Sequence, residues 1–281
     1  MFKRMAAMLF LGILLTAFPA QSLVCHGDEQ DSICLPIVMY HHISNNPQRL
    51  GRYTVTPDEF ERDLQYLKSH GYETISSRQL DGWLAGRETL PEKPVMITFD
   101  DGHESTAVYA CSLLEQYGMC GIVSVIGSVT TRYTEDPDHH LGYSHMSWEA
   151  VAALDSGSVM EVQCHTYDMH KITPRRGCDK MTGESADHYK KAFLEDIGTF
   201  QDLFAQYTGH KCTVLALPFG SYSKETLDIS REMGFHMVLT CTEKVNRLFI
   251  NDAGKMPVLG RFNRPHGVSS EAFFAKWNKQ E

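Results

Sequence analysis

The stretch Val95-Met96-Ile97-Thr98-Phe99-Asp100-Asp101-Gly102 decides how this chain is read. A short apolar run closed by a glycine is a buried parallel strand, and it opens on two adjacent carboxylates at the end where α/β enzymes carry their chemistry. Neighbouring side chains on an extended strand point to opposite faces. Asp100 and Asp101 can therefore serve one site only if the backbone turns there, and Gly102 makes such a turn cheap. One carboxylate is then able to bind a metal while the other takes a proton, provided that further ligands lie downstream. The segment Cys164-His165-Thr166-Tyr167-Asp168-Met169-His170 supplies them.

Outward from this strand, apolar runs alternate with helical patterns from about Leu35 onward, which predicts α/β architecture with a parallel sheet or barrel. The strands expected are Leu35 to Tyr40, Val95 to Phe99, Gly121 to Ile126, Met160 to Cys164, Thr213 to Leu217, His236 to Thr240 and Met256 to Arg261. Thr56-Pro57-Asp58-Glu59 combines an N-cap, a proline at the first helical position and a capping-box glutamate, with Phe60, Leu64 and Leu67 on one face and Gly71 as the stop. Further helices are expected over Ser105 to Tyr117, Trp148 to Leu154, Asp187 to Tyr207, Lys224 to Met233 and Ser270 to Trp277. Phe193, Ile197, Phe200 and Phe204 recur at helical spacing and read as core packing. Seven strands with helices between them suggest a barrel of seven or eight parallel strands, complete or incomplete, in a single domain, with a doubly wound open sheet as the alternative. The polar stretch Lys171 to Asp187 carries Lys171, Arg175, Arg176 and Lys180 and reads either as a functional lid or as a solvated insertion.

Lys3 and Arg4 precede an apolar run from Met5 to Phe18, with Ala20 and Ser22 after it, so residues 1–22 read as a secretory signal peptide and 23–34 as a short N-terminal segment before a catalytic domain over 35–281. The expected location is secreted or extracytoplasmic, with membrane attachment only if the signal segment stays uncleaved. A net charge of −9 provides no basic field for nucleic acid. The eight cysteines contain no CxxC pair, which argues against a zinc knuckle, and export permits disulfides. No protein partner is indicated.

His165 and His170 are five apart and follow a strand, where a tight loop can fold both imidazoles toward one point. With one carboxylate of the Asp pair they form a His/His/Asp set, an arrangement common in catalytic zinc sites that leave a position open for water. His41 and His42 end the first strand, so one imidazole of the two can project over the same rim, and that imidazole is a general-acid candidate. Pro218-Phe219-Gly220 closes another strand with a turn able to present a backbone N–H to a developing oxyanion, although an ordinary strand-to-helix connection would read the same. His139, His140, His145 and His210 read as solvated groups, and Cys164, alternating with His165, as a core thiol.

Together these segments resemble the polysaccharide deacetylase family, carbohydrate esterase family four. Ile37 to Ile43, Ile97 to Gly102, Glu161 to His170, Ala216 to Ser221 and Val258 to Asn263 match its motifs in order, and Tyr40-His41 with Gly260-Arg261-Phe262-Asn263 is similar to its poly-N-acetylglucosamine deacetylase branch. The resemblance implies a deformed (β/α) barrel. It implies Asp101, His165 and His170 as ligands of a divalent metal, Zn2+ first with Co2+, Ni2+ or Mn2+ as alternatives, and Asp100 as the base for a metal-activated water. It further implies His41 as the acid that protonates the leaving amine, and the Phe219 N–H as an oxyanion donor. Well-known members carry an arginine two residues before the proline of the Pro-x-Gly turn, where this chain has Ala216; Arg261 is expected to replace it by orienting Asp100 and holding it ionised. The expected activity is removal of N-acetyl groups from an amino-sugar polymer, whether poly-N-acetylglucosamine, peptidoglycan or a chitin-like chain. The alternatives are another amide or acetyl-ester deacylase on the same centre, or a non-catalytic glycan-binding relative. The basic residues of 171–187 hint at an anionic substrate.

Overall fold

Eight short strands carry the architecture: β1 (Ile37–Tyr40), β2 (Pro94–Phe99), β3 (Gly121–Val125), β4 (Met160–Cys164), β5 (Val214–Ala216), β6 (Met237–Leu239), β7 (Val258–Leu259) and β8 (Phe262–Asn263). The computed structural model describes residues 32–250 and 254–277, so the expected signal segment lies outside the described residues. The strands run in the order β7-β6-β5-β4-β3-β2-β1-β8, every pair parallel. Only Gly260 and Arg261 separate the two edge strands, so the sheet curls until its edges are joined by continuous chain, and the result is a deformed barrel rather than an open sheet.

The last strand was expected to run unbroken to Arg261. It breaks at Gly260 because Thr242 crosses there: the Arg261 N–H donates to the Thr242 carbonyl at 2.9 Å, and a Cβ on Gly260 would lie 2.3 Å from that same oxygen.

Strand alternation sorts the side chains into two cores. Val95, Ile97 and Phe99 face outward with Val123, Val162, Cys164 and the helices, whereas Ile37, Met96, Ile122, Val214, Ala216, Met237, Leu239 and Leu259 fill the interior. The same parity turns Asp100, His165 and Arg261 inward at the C-terminal rim and sends Cys164 outward to a buried position.

Around the barrel lie α1 (Pro57–Ser69), α2 (Ser77–Leu84), α3 (Cys111–Tyr117, entered through a π-helical turn over Thr106–Ala110), α4 (Gly127–Glu135), α5 (Trp148–Asp155), α6 (Ala186–Thr208), α7 (Lys224–Glu232) and α8 (Ser270–Phe274). The predicted capping box of α1 is present, with Thr56 and Glu59 bonding reciprocally. In α6, Phe193, Ile197, Phe200 and Phe204 are fully buried, each contributing about 1.5–3 kcal/mol of transfer free energy. Helix α2 closes the far end of the barrel: Leu80 and Trp83 join the interior core, and the Ser77 N–H donates to Glu161 at 3.0 Å.

The stretch 171–185 is tightly held. Arg175 grips Glu184 through two bonds of 2.8 and 2.6 Å, Lys180 pairs with Glu225 at 2.6 Å, Lys171 pairs with Asp168, and the carbonyl of buried Cys178 accepts from Tyr189 and Thr226. Cys34 is disulfide-bonded, and Cys111, Cys120, Cys164, Cys178, Cys212 and Cys241 are free thiols. Among the described residues no helix is long and apolar enough to cross a membrane.

Candidate active site

The site is built where three strand-to-loop turns meet, and each turn holds a non-glycine residue in left-handed backbone: Asp101 (φ 72°), Thr166 (φ 68°) and Phe219 (φ 58°). Such conformations cost about 1–3 kcal/mol each and persist where surrounding structure over-determines them. Gly102 continues the first turn at φ 77°, with its α-carbon so close to β3 that a Cβ would lie 2.8 Å from Val125 Cγ1.

This turning resolves how adjacent aspartates share one site. Asp101 Oδ1 lies 3.5 Å from His165 Nε2 and 3.4 Å from His170 Nε2. His165 Nδ1 faces the Ala216 carbonyl at 2.8 Å, and a proton donated there leaves its Nε2 lone pair directed at the site. One ligand atom from each of Asp101, His165 and His170 falls within 4.8 Å of the others, and Asp101 Oδ1 is buried without a hydrogen-bond donor. An open three-donor set of two imidazoles and a carboxylate suits a divalent cation.

Asp100 is paired with Arg261. Both side chains are buried, and the guanidinium forks onto the carboxylate at 2.7 Å to each oxygen while its Nε donates to the Thr240 carbonyl at 3.0 Å. Burial pushes the Asp100 carboxyl up, but the Arg261 charge and then His165 outweigh it and hold the group below the usual carboxylate range. Asp101 is likewise pushed up by burial and drawn far below its ordinary value by His165, His41 and His103. For His165 burial acts downward and the two aspartates raise it; His170 is lowered by burial and by the proximity of His165.

His41 belongs to the same cluster. Burial holds it below the ordinary imidazole range, Asp100 and Asp101 pull it back up, and its Nδ1 is buried with no partner. The half-exposed ring of Tyr53 packs 4.8 Å from it. On the opposite side the Phe219 ring lies 4.6 Å from His170. Pro218 is buried, and Gly220 takes φ 64°, where a Cβ would meet the Cys241 N–H nitrogen at 2.7 Å. Asp100, Asp101, His165, His170, His41, Arg261 and the 218–220 turn thus lie around one rim.

His145 departs from expectation. It is not solvated: its ring packs tilted 4.2 Å from that of His103, which packs tilted 4.4 Å from His42, and burial pushes the His145 imidazole down to about 4. His103, which the sequence reading passed over, brings Nε2 to 4.0 Å from the second oxygen of Asp101. A backbone bridge between 103 and 145 makes this column, and nothing in their sequence spacing announces it. His139 and His210 are exposed, as expected, and pair with Glu104 and Asp155 at 2.7 Å each.

Comparison with known proteins agrees with this architecture. YxkH of Bacillus subtilis (strain 168), named as a polysaccharide deacetylase, is 29% identical over 244 residues, covering 86% of this chain and 75% of that protein. The poly-beta-1,6-N-acetyl-D-glucosamine N-deacetylase of Escherichia coli (strain K12) is 24% identical over 222 residues, which span 72% of this chain but only 33% of that enzyme. Among solved structures, IcaB from Ammonifex degensii superposes with a TM-score of 0.66 at 28% identity over 81% of this chain and 90% of its own. The Streptococcus pyogenes deacetylase PplD shares the fold, with a TM-score of 0.67 at 22% identity over 89% of this chain and 99% of its own. The family model described as polysaccharide deacetylase matches residues 87–238, more than half of the 281, and the chain belongs to that family of deacetylase enzymes.

Proposed function

We propose that this chain is a divalent-metal-dependent N-deacetylase of an amino-sugar polymer, exported by the segment 1–22 and built as one catalytic domain over 35–281. The carrying observation is the convergence of Asp101, His165 and His170, with donor atoms within 4.8 Å, beside an Asp100 carboxylate that Arg261 grips through both oxygens. Zinc is the ion that this ligand set favours, with cobalt, nickel and manganese as alternatives. Bound there, a dication would polarise the acetamide carbonyl and acidify the attacking water.

The chain's own residues supply the remaining chemistry. Asp100, fixed and kept ionised by Arg261, accepts the proton of the attacking water. The Phe219 N–H, on the Pro218-Phe219-Gly220 turn, donates to the carbonyl oxygen as charge develops on it. His41 protonates the departing amine, which needs an acid because an amide anion is a very poor leaving group. The proton on His41 is stabilised by Asp100 and Asp101 against the burial that disfavours it. Relatives named as poly-N-acetylglucosamine deacetylases favour a β-linked N-acetylglucosamine polymer as substrate.

Acetate release from N-acetylglucosamine oligomers tests this, with and without chelator and added zinc, beside Asp100→Asn. Release that chelator removes, zinc restores and Asp100→Asn abolishes is the expected result. Undiminished release after exhaustive chelation would overturn the metal requirement, and near-normal turnover in Asp100→Asn would overturn the assignment of the base.

A further inference from the structure

Resting on the metal centre proposed above, we infer that Asp196, a residue of α6 remote in sequence from every motif, is the positioning residue that sets the His165–His170 loop for metal binding. Four residues separate the two histidines, yet both imidazoles bring Nε2 to within 3.5 Å of one oxygen of Asp101. An extended chain would carry His170 away from the rim, so the backbone must turn immediately after β4. It does so at Thr166, where a β-branched residue is held at φ 68° with its hydroxyl buried and unpartnered. A turn of that kind needs anchors stronger than its own preference.

The anchors come from two sides. From α4, the Gly127 and Ser128 N–H groups donate to the Thr166 and Tyr167 carbonyls at 3.0 and 2.8 Å. Gly127 permits this approach, since a Cβ there would lie 2.6 Å from the Tyr167 ring. From α6, Asp196 accepts the next two backbone donors, the Tyr167 N–H on Oδ1 at 2.9 Å and the Asp168 N–H on Oδ2 at 2.8 Å. Two consecutive amides on the two oxygens of one carboxylate fix both the position and the tilt of the peptide between the ligands. The α4 bonds are made by backbone and the Thr166 N–H meets the weakly accepting Cys164 thiol at 3.3 Å, so Asp196 is the charged anchor that a side-chain change can remove. Helix α6 itself is seated by Phe193, Ile197, Phe200 and Phe204, all fully buried, and does not depend on Asp196 for its place.

The test compares wild type, Asp196→Ala, Asp196→Asn and, as a lost-ligand reference, His170→Ala. Zinc affinity is read by competition with a chromophoric chelator, the thermal midpoint is read with and without zinc, and hydrogen exchange is followed at the Tyr167 and Asp168 amides of the metal-free protein. Loss of a group that orients metal ligands typically weakens binding about 10–100-fold. Asp196→Ala should fall in that range with the metal-free midpoint little changed and with faster exchange at those two amides. Asp196→Asn, which keeps the shape but only one acceptor oxygen, should fall between it and wild type and serves alone if the alanine variant does not fold. Unchanged zinc affinity in both variants would overturn the inference, as would a metal-free midpoint that falls in step with the affinity, which is the mark of general destabilisation. Wild type that binds no zinc at this centre would instead sink the metal reading. In that case unchanged exchange at the two amides would still overturn the positioning role, and faster exchange would support it.

Discussion

Removing the guanidinium of Arg261 is the sharpest perturbation of the site. Asp100 and Arg261 are 3% and 0% exposed at the side chain, and Arg261→Ala deletes all four of the guanidinium's bonds: two to Asp100, one to Thr98 and one to the Thr240 carbonyl. Among the described residues no other side chain bonds Asp100, so a buried carboxylate is left without a donor there. Breaking a buried pair in this way costs about 3–5 kcal/mol. The sign with pH follows from the shift. In wild type the Asp100 carboxyl is depressed, so its contribution is present above the ordinary value of 3.8 and lost as pH falls through the lower folded value. In Arg261→Ala the upward push of burial is left opposed by His165 and His41, so the carboxyl should rise from its depressed value and the charged form should lose its stabilisation at neutral pH. The variant's deficit should therefore shrink on mild acidification, and the acid limb of its rate profile should move to higher pH. Urea unfolding across pH, with Asp100→Asn and the double variant closing a cycle, measures this. A loss under about 1 kcal/mol, or singles that add to within about 0.5 kcal/mol, would refute the pairing energetics.

Other consequences are measurable on the same protein. His145 is held at about 4 against an ordinary 6.5, so the unfolded chain binds its proton first and stability should fall as pH drops from 6.5 toward 4, by up to about 3 kcal/mol; His145→Gln should flatten that slope in urea midpoints, and an unaltered slope would show the column to be solvated after all. Of the four basic residues in 171–187, three are paired to Asp168, Glu184 and Glu225, whereas Arg176 spends one bond on Ser221 and lays its guanidinium 5.1 Å over Phe219 beside His170. Arg176→Ala should therefore raise KM on an anionic polymer by up to about five-fold, the worth of one exposed charged contact, with little effect on a neutral oligomer. Arg175→Ala should instead lower the thermal midpoint; equal kinetic effects of the two would remove the distinction.

What the sequence made legible and what it hid divide along one physical line. Apolar alternation, a capping box and a carboxylate pair at a strand end are local signals, and they located the seven strand positions, α1, the Asp100-Asp101 pair and the His165 to His170 segment. Helix α2 carries a local signal too, the reciprocal Ser76 and Gln79 cap, but only eight residues and Gly82 inside it, so the periodicity was too short to stand out. Helix α4 has no side-chain N-cap, and its Val129-Thr130-Thr131 run reads as strand; its first amides are satisfied instead by the Thr166 and Tyr167 carbonyls, a tertiary contact no local pattern encodes.

The same division explains the electrostatics of the site. That Asp100 needed a cation came from the family resemblance, whose arginine position is Ala216 in this chain, and Arg261 could be named because it was expected to end the last strand. The imidazole column and Asp196 could not be named, because their roles arise only when the backbone bridge at 103 and 145 and the docking of α6 bring them to the rim. Groups that touch the reacting atoms are constrained by reaction chemistry to a few residue types at strand ends. Groups that hold those residues in place need only a well-placed oxygen or ring, and any element packed against the loop can supply it. In a barrel of this kind the surrounding support is consequently where sequence reading runs out first, and where substitutions outside the motifs should alter metal binding without altering the fold.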